Sequence, residues 1–419
     1  MSFREAEEYL LGLELFGIRL GLDRVHRLMT AMGMPQRRFA SVHVVGSNGK
    51  SSTTRFIAAI LQRHGLRTGS YTSPHLRSFQ ERIEVAEEPV PRKRFAAAVQ
   101  GAAQAAAMVE RTLDAGDRVT QFEALTAAAF QELAASQVDV AVIEAGLGGR
   151  YDATNVIGSR VQVLTGVGLE HTRWLGPTLV DIAEEKLAVV RDCGTLVSGA
   201  LDPEVNAVAH RAAADHHATL VTAPSFGATP ATRDLELRAA GAFQRTNFAL
   251  AAAAAEAFLD RPLDPAAVRS AAAETGVPGR LEIVDRRPLT IHDGAHNPAG
   301  ARALVAALGE VCEGRSPLVL VASVLDDKDV AGMLETLLPV AGRTVFTRCS
   351  NPRALSPGTL ESLSKKLDGP PAETVAGPRA AVARAREIAG PEGAVLVTGS
   401  IYLIADLMRA NVQSRASVL

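Results

Sequence analysis

The chain has 419 residues, and its 44 Lys and Arg residues nearly balance 46 Asp and Glu residues, so the formal net charge at pH 7 is -2. Hydrophobic residues make up 47% of the chain and charged residues 21%, which excludes disorder as the dominant state. The near-neutral charge and an aromatic content of 4% argue against a general nucleic-acid binder, which needs a basic surface and stacking platforms. At roughly 150 residues per domain, we expect two or three domains.

The cysteines and the N-terminal segment favour a protein of the reducing cytoplasm. Cys193, Cys312 and Cys349 are odd in number and far apart, which matches neither a disulfide framework nor a zinc site. The N-terminal segment carries acidic residues where a signal peptide would be basic and then apolar. The longest apolar stretch begins at Phe248, is interrupted by Glu256 and is too short to span a bilayer. We therefore expect no membrane partner.

Short β-branched runs alternate with Ala-rich helical stretches along the chain. The predicted strands are Ser41–Val45, Val138–Ile143, Arg160–Leu164, Leu289–His292, Pro317–Val321, Thr344–Thr347 and Ala394–Thr398. The predicted helices include Ser51–His64, Arg94–Val109, Phe122–Ala135, Asn247–Phe258 and Ala299–Leu308. Continuous apolar strands joined by helices are typical of parallel sheets, so the pattern predicts an α/β fold.

A domain boundary is predicted near Arg286-Arg287-Pro288. The preceding segment, ETGVPGRLEIVDRRP, reads as irregular because it contains glycine and proline, and a new strand begins at Leu289. We therefore divide the chain into an N-terminal domain, residues 1–285, and a smaller C-terminal domain, residues 286–419.

The strongest motif is VHVVGSNGKSS, in which an apolar strand runs into a glycine turn and then a helix. Gly46 and Gly49 let backbone N–H groups converge on a phosphate, Lys50 supplies a point charge, and Ser51 or Ser52 offers a hydroxyl to magnesium. The GxxGKS spacing is shorter than the common GxxxxGKS, and a tight turn with Ser51 as the helix cap is the alternative. The strand–loop–helix context and the lysine favour phosphate binding.

Glu144 ends another apolar strand and is followed by the run AGLGGRYD. A carboxylate at a sheet edge can hold magnesium beside the first loop, and the glycines indicate close approach of the backbone to a ligand. The alternative is a solvent-exposed glutamate at a strand end.

Further candidates follow other predicted strands. Ser73 and His75 lie in a loop that is also an ordinary Ser-Pro turn. His171 is a possible metal ligand or a hydrogen-bonded structural histidine. Lys186 lies on a predicted helix beside two glutamates. The alternative to a functional role is that it belongs to a charged helix face exposed to solvent.

In the C-terminal half, the segment TIHDGAHNPAG places Asp293 and His296 at the carboxyl edge of a strand, a ligand-facing position in α/β sheets. Pro298 is a good first-turn residue for the helix that follows. For Asn297, a role as a helix cap is the alternative to ligand binding.

Together these segments closely resemble the folylpolyglutamate synthase/dihydrofolate synthase family, a branch of the Mur ligase superfamily. The resemblance covers nearly the whole chain, and the order and spacing of its pieces are more specific than any single piece. The matching pieces are FGIRLGLDRV, VGSNGKSS, TSPHL, QFEALTAAAF, EAGLGGRYDATN, EHTRWLG, IAEEK, FQRTN, PGRLE, DGAHNP, LDDKD, PRALSP and VTGSIYL.

The resemblance implies a P-loop ATPase-type N-terminal domain with a mostly parallel sheet and a smaller Rossmann-like C-terminal α/β domain. It implies an ATP-dependent ligase that phosphorylates a folate or dihydropteroate carboxylate and joins it to the amino group of L-glutamate. Magnesium, a cytoplasmic location and a monomer are expected, with the nucleotide in the cleft between the domains.

Residue roles follow from the matching motifs. ATP would contact Gly46, Ser47, Asn48, Gly49, Lys50, Ser51, Ser52, Asn247, Arg280 and Asp293. Magnesium would be held by Ser73, Glu144 and His171. The catalytic residues would be Lys50, Lys186 (similar to the family's carboxylated lysine) and His296, which would lie near the reacting phosphate. The pterin substrate would lie near Gly17, Ile18, Arg19, Phe122 and Asp152.

Some positions depart from the family pattern: Ser47 stands where threonine is usual, Ser51-Ser52 follows Lys50, and Leu187-Ala188 follows Lys186. The choice between the two serine hydroxyls as the magnesium ligand therefore stays open. A ligase of the same superfamily with a non-folate acceptor, and a nucleotide-gated binding protein without catalysis, are the alternative functions.

Overall fold

The structure is a computed structural model that describes residues 1–13 and 21–409. Within these residues the strands are β1 (Ala40–Val45), β2 (Thr68–Tyr71), β3 (Ile83–Val85), β4 (Glu88–Pro89), β5 (Val140–Glu144), β6 (Val161–Leu164), β7 (Thr195–Ser198), β8 (Thr219–Thr222), β9 (Glu282–Arg286), β10 (Leu289–His292), β11 (Leu318–Ala322), β12 (Arg343–Phe346), β13 (Ala372–Thr374) and β14 (Ala394–Thr398).

The helices in the same part of the chain alternate with these strands. They are α1 (Phe3–Gly12), α2 (Asp23–Ala31), α3 (Lys50–Arg63), α4 (Arg92–Glu110), α5 (Gln121–Ala135), α6 (Thr172–Leu175), α7 (Leu179–Leu187), α8 (Pro203–Asp215), α9 (Ala242–Leu259), α10 (Pro265–Glu274), α11 (Pro298–Cys312), α12 (Val330–Leu337), α13 (Pro357–Lys366), α14 (Pro378–Ala389) and α15 (Ile401–Met408).

The first sheet has eight strands in the order β4-β3-β2-β5-β1-β6-β7-β8. Strand β1 pairs in parallel with β5 on one side and β6 on the other, so all three end at the same edge. Val42 and Val44 pack with Ile57 of α3 and Phe248 of α9 in one apolar cluster. Val45, on the other face of β1, packs in a second apolar cluster with Leu164. Burial on both faces explains the continuous apolar runs of the central strands.

The second sheet has six strands in the order β13-β12-β11-β14-β10-β9. Strands β10 to β14 pair in parallel, and β9 is antiparallel to β10. The expected two-domain α/β architecture with mostly parallel sheets is confirmed.

All seven predicted strands and all five predicted helices are present, with shifts at their ends of one to a few residues. The expectation of an irregular segment before Leu289 is wrong in one part, because residues Glu282–Arg286 form strand β9. Its pairing with β10 assigns that strand to the second sheet, and the division at 285/286 stays a prediction. In the described residues, we find no helix with the length and apolarity needed to cross a membrane.

Candidate active site

A cavity of about 1050 Å³ lies between the two sheets, where the loops after β1, β5 and β6 meet the loop after β10. Most of the predicted site residues line it. They are Ser47, Asn48, Gly49, Lys50, Ser51, Ser52, Ser73, Phe122, Glu144, Asp152, His171, Lys186, Asn247, Arg280, Asp293 and His296. The three predicted substrate residues Gly17, Ile18 and Arg19 lie outside the described residues.

The glycine turn after β1 delivers the N-terminus of α3 to this cavity. Gly49 is the N-cap of the helix with φ of 85°, and a Cβ there would lie 2.5 Å from Oδ1 of Asn247. A residue with a side chain is therefore strained at this position. The alternative of Ser51 as the helix cap is wrong, because the cap is Gly49 and the Ser51 hydroxyl donates to Glu144.

The first loop is closed by its own lysine. Lys50 Nζ donates to the carbonyl oxygens of Gly46 at 3.0 Å and Ser47 at 3.3 Å. The Ser47 hydroxyl bridges to the backbone of Gly168, accepting from its N–H at 2.9 Å. These contacts tie the loop to itself and to the segment after β6, and they place a cation at the helix N-terminus, where anions bind.

Glu144 is a buried carboxylate, only 2% exposed, at the end of β5. It accepts hydrogen bonds from Oγ of Ser51 at 2.9 Å and from the backbone N–H of Ser73 at 3.0 Å. Burial raises its pKa, while Lys50 and these hydrogen bonds oppose the rise. The alternative of a solvent-exposed strand-end glutamate is therefore wrong. The carboxylate connects the end of β5 to the first turn of α3 and to the loop after β2.

Lys186 of α7 is 1% exposed, so its alternative as part of a solvated face is also wrong. Its Nζ donates to the carbonyl of Gly46 at 2.9 Å and to Oε1 of Glu170 at 3.0 Å. Burial and the charge of Lys50 lower the pKa of Lys186. Burial would raise the pKa of Glu170, but the charges of Lys186 and Lys50 outweigh it and hold the value at about 2.

His171 begins the short helix α6 with a left-handed backbone, φ 48°. Burial and the nearby charge of Lys328 lower its pKa to about 4, so the imidazole is neutral at pH 7 and has a lone pair available. Among the described residues no cluster of three His, Cys, Asp or Glu side chains is preformed as a metal site. The expected magnesium set contains two such groups, Glu144 and His171, and the hydroxyl of Ser73.

The second domain supplies the opposite wall through the turn after β10. Asp293 accepts from the N–H groups of Leu281 and Ala295, both at 2.8 Å. His296 Nδ1 lies 2.9 Å from the carbonyl oxygen of Gly294, which can only accept, so Nδ1 carries the proton. Burial lowers the pKa of His296 to about 4, and the imidazole is neutral.

One contact joins the two walls directly. Asn297 is the N-cap of α11, accepting from Gly300 N–H at 2.7 Å, so the alternative of a helix cap is confirmed for this residue. Its side-chain amide also donates to Oδ1 of Asn48 at 3.0 Å, and Nδ2 of Asn48 lies 3.3 Å from Oδ1 of Asn297. The first glycine loop is thereby held to the second domain.

Another part of the same cavity lies beside the loop after β5. A Cβ on Gly146 would lie 2.7 Å from Cζ of Phe122 and 3.1 Å from Oδ2 of Asp152, so an aromatic ring and a carboxylate flank this glycine. Asp152 accepts from Leu147 N–H at 2.8 Å, and burial raises its pKa. This end of the cavity suits a flat ligand that carries hydrogen-bond donors.

Several residues of the cavity wall have no role predicted from the sequence. Lys328 and Arg353 both contact Oδ2 of Asp327 at 3.2 Å, and the motifs LDDKD and PRALSP had marked this region without a function. Trp174, the single tryptophan, lies on the rim and is 42% exposed. His75, a candidate from the sequence, is not among the residues that line the cavity. It is buried and packs against Phe79, and its Nδ1 accepts from Arg82 at 3.1 Å.

Comparisons with known proteins agree with this architecture. Residues 279–401 match the family described as Mur ligase, glutamate ligase domain. The chain is 36% identical to the dihydrofolate synthase/folylpolyglutamate synthase of Mycobacterium tuberculosis over 382 residues, 83% of this chain and 78% of that protein. It spans half the length of a Haloferax volcanii relative, a probable bifunctional folylpolyglutamate synthase/dihydropteroate synthase, with 34% identity.

Solved structures are similar over almost the full length. M. tuberculosis folylpolyglutamate synthase complexed with ADP superimposes with a TM-score of 0.90 at 32% identity, covering 97% of each chain. Escherichia coli FolC in complex with DHPP and ADP gives a TM-score of 0.85 at 29% identity, again covering 97% of each chain. From the site geometry and these similarities, the chain belongs to the folylpolyglutamate synthase/dihydrofolate synthase family of ATP-dependent ligases.

Proposed function

We propose that this chain joins L-glutamate to the carboxylate of dihydropteroate or a folate, using ATP and releasing ADP and phosphate. The observation that carries the proposal is a single cavity with a phosphate-type loop at Lys50 and a ring-and-carboxylate recess at Phe122 and Asp152. A ligase of this kind must hold a triphosphate and an aromatic acid together, because the reacting atoms have to meet.

The reaction has two balanced steps. An oxygen of the acceptor carboxylate attacks the γ-phosphorus of ATP, the bond to the bridging oxygen breaks, and ADP leaves with an acyl phosphate formed. The amino nitrogen of glutamate then attacks the acyl carbon, a proton leaves the nitrogen, and phosphate departs from a tetrahedral intermediate. Phosphate is a far better leaving group than oxide, which is why the carboxylate is phosphorylated first.

The nucleotide phosphates are assigned to Gly46, Ser47, Asn48, Gly49, Lys50, Ser51 and Ser52. Backbone N–H groups at the start of α3 and the ammonium of Lys50 neutralise phosphate oxygens, which is the main requirement of phosphoryl transfer. Asn247, against Gly49, and Arg280, against Gly294, approach the same cavity from α9 and from the segment before β9, and Asp293 completes the assigned nucleotide contacts.

The residues present fit a magnesium ion. Glu144 is a buried carboxylate bonded to the hydroxyl of Ser51, and Ser73 and neutral His171 line the same cavity. Magnesium is usually bound by one or two protein carboxylates together with water and substrate phosphates, so a small protein set suits it. When bound, it would neutralise phosphate oxygens; Ser51, by its contact with Glu144, is the favoured hydroxyl of the loop.

Two further residues are assigned catalytic roles. Neutral His296, with its proton on Nδ1, leaves Nε2 free to accept a hydrogen bond or the proton of the incoming amine. Lys186 is proposed to be carboxylated because its motif is similar to that of the family's carboxylated lysine. Burial and Lys50 lower its pKa against the opposing effect of Glu170, and the neutral amine is the form that adds CO2 to give a carbamate. Incorporation of 13C-bicarbonate, read by 13C NMR in the native protein and in Lys186→Met, tests this assignment.

We also propose that the protein is a cytoplasmic monomer. The acceptor end is assigned to Phe122 and Asp152, and the role of Gly17, Ile18 and Arg19 stays a prediction.

The test is incubation of the purified chain with MgATP, L-glutamate and either dihydropteroate or tetrahydrofolate. We expect glutamate-dependent phosphate release and a product whose mass equals acceptor plus glutamate minus water. Absence of glutamate-dependent release with both acceptors would overturn the proposal, and tight ATP binding without turnover would then favour a nucleotide-gated binding protein. Turnover with a non-folate acid alone would identify a different acceptor.

A further inference from the structure

A chain of hydrogen bonds runs beneath the acceptor recess and ends on Asp152. His43, in the middle of β1, is fully buried, and its Nε2 lies 2.8 Å from Oγ1 of Thr154, which is also fully buried. The hydroxyl of Thr154 lies 2.5 Å from Oδ1 of Asp152, and the backbone N–H of Thr154 donates to the same oxygen at 3.0 Å. The three side chains therefore form one line from the central strand to the cavity.

The direction of these hydrogen bonds follows from the chemistry of the groups. An ionised Asp152 can only accept, so the Thr154 hydroxyl donates to it and must accept from His43. Burial lowers the pKa of His43 to about 3, so the imidazole is neutral and carries its single proton on Nε2. Nδ1 is then an acceptor, and it is buried without a hydrogen-bond partner.

A histidine here is not required by the packing of the sheet. Val45 on the same face of β1 and Ile143, the partner of His43 on β5, are apolar, and a buried polar atom without a partner costs stability. An apolar side chain at position 43 would avoid that cost. The histidine keeps one directed contact, the hydrogen bond to Thr154, and that contact leads to the cavity.

We infer that His43 and Thr154 are positioning residues that orient the carboxylate of Asp152 for the acceptor substrate. This inference rests on the proposed function, in which Asp152 binds the flat end of the acceptor. Asp152 is fixed at both oxygens, Oδ1 by Thr154 and Oδ2 by the N–H of Leu147. Without the Thr154 hydroxyl, Oδ1 keeps only the backbone N–H of Thr154 as a donor, so the orientation of the carboxylate beside Phe122 is less tightly fixed.

The strand next to β1 offers a matched control. Gln162 on β6 is paired in register with His43 and is equally buried, but its amide donates to Ser159 at 2.7 Å and not toward the cavity. His43→Leu and Gln162→Leu both remove a buried polar side chain from the centre of the sheet. The two variants therefore make the same kind of change in the sheet, and a specific loss of acceptor binding is expected only in the first.

The experiment measures kcat and the KM values for dihydropteroate and for ATP in wild type, His43→Leu, Thr154→Val, Thr154→Ser and Gln162→Leu. Loss of one hydrogen bond to the positioning chain is expected to raise the dihydropteroate KM about fivefold or more in His43→Leu and Thr154→Val, with the ATP KM unchanged. Thr154→Ser keeps the hydroxyl and should restore the wild-type KM. Gln162→Leu should leave both KM values unchanged.

The outcomes separate this inference from the proposed function. An active wild type whose dihydropteroate KM is unchanged in Thr154→Val overturns the inference and leaves the function standing; the same holds if Gln162→Leu raises that KM equally. A wild type without glutamate-dependent turnover overturns the function and the inference with it. Thr154→Val alone decides the matter if His43→Leu does not fold.

Discussion

The loops that follow β1 and β5 leave the same edge of the sheet from adjacent parallel strands, yet they present different chemistry. The loop after β1 opens a long helix and carries Lys50 at its N-terminus, a charged arrangement suited to phosphate. The loop after β5 leads into a short 3₁₀ turn capped by Asp152, with the ring of Phe122 against Gly146. Two neighbouring glycine-rich turns are thus suited to different ligands, an anion and a flat polar ring, because the residues around the glycines differ.

Lys50→Met should have the largest effect, and it tests the first loop as the anion site. Removal of a charge aimed at the transferring phosphate is expected to lower kcat/KM for ATP by about a thousandfold. Steady-state phosphate release measures the change. Lys365→Met, on the exposed end of α13, is the control and should be active; comparable activity in both variants would contradict the assignment.

Glu144→Gln tests the carboxylate that lies between the two loops. An amide keeps the shape but loses the charge, so we expect the magnesium concentration needed for half-maximal turnover to rise at least tenfold. A magnesium titration of ATP turnover gives the value. Glu84→Gln removes another buried carboxylate of the same sheet and serves as the control, since Glu84 pairs with Arg55 away from the cavity wall. An unchanged magnesium requirement in Glu144→Gln would remove Glu144 from the metal site.

Gly146→Ala tests the second loop as the acceptor site. The added Cβ would displace Phe122 and crowd Asp152, so the KM for the acceptor is expected to rise about tenfold while the KM for ATP changes little. Gly158→Ala is the matched control because no atom lies near the added Cβ. If the KM for ATP rises in Gly146→Ala as much as that for the acceptor, the two loops are not separate sites.

The smallest effect concerns stability and pH, and it tests the neutral imidazole beneath the second loop. Burial lowers the pKa of His43 from its ordinary value of 6.5 to about 3 in the folded chain, so between these values the unfolded chain binds a proton that the folded chain does not. The free energy of unfolding therefore falls as pH falls through this window, by up to about 1.4 kcal/mol per pH unit for one proton. The free energy of unfolding, measured by urea denaturation at several pH values, should change less steeply with pH in His43→Leu than in wild type. Identical slopes would mean that His43 is protonated in the folded state.

Short sequence motifs predicted part of the site. Lys50 follows a glycine turn at the end of an apolar strand, and Asn297 precedes Pro298 at a helix start; both combinations act over a few residues. Glu144, His171 and Asp293 were candidates because each follows a predicted strand, and the family resemblance supplied their roles. The structure brings these residues to one cavity.

Tertiary structure decided what distant segments do to one another. Strand β9 exists through its pairing with β10, in a segment whose glycine and proline suggested irregular backbone. Lys186 follows two glutamates on its helix, yet packing buries it against Glu170. His43 and Thr154 meet across 111 residues of sequence. By itself, the sequence determined the fold class and the phosphate loop because these depend on local patterns; burial and long-range hydrogen bonds depend on which surfaces meet, which only the folded chain specifies.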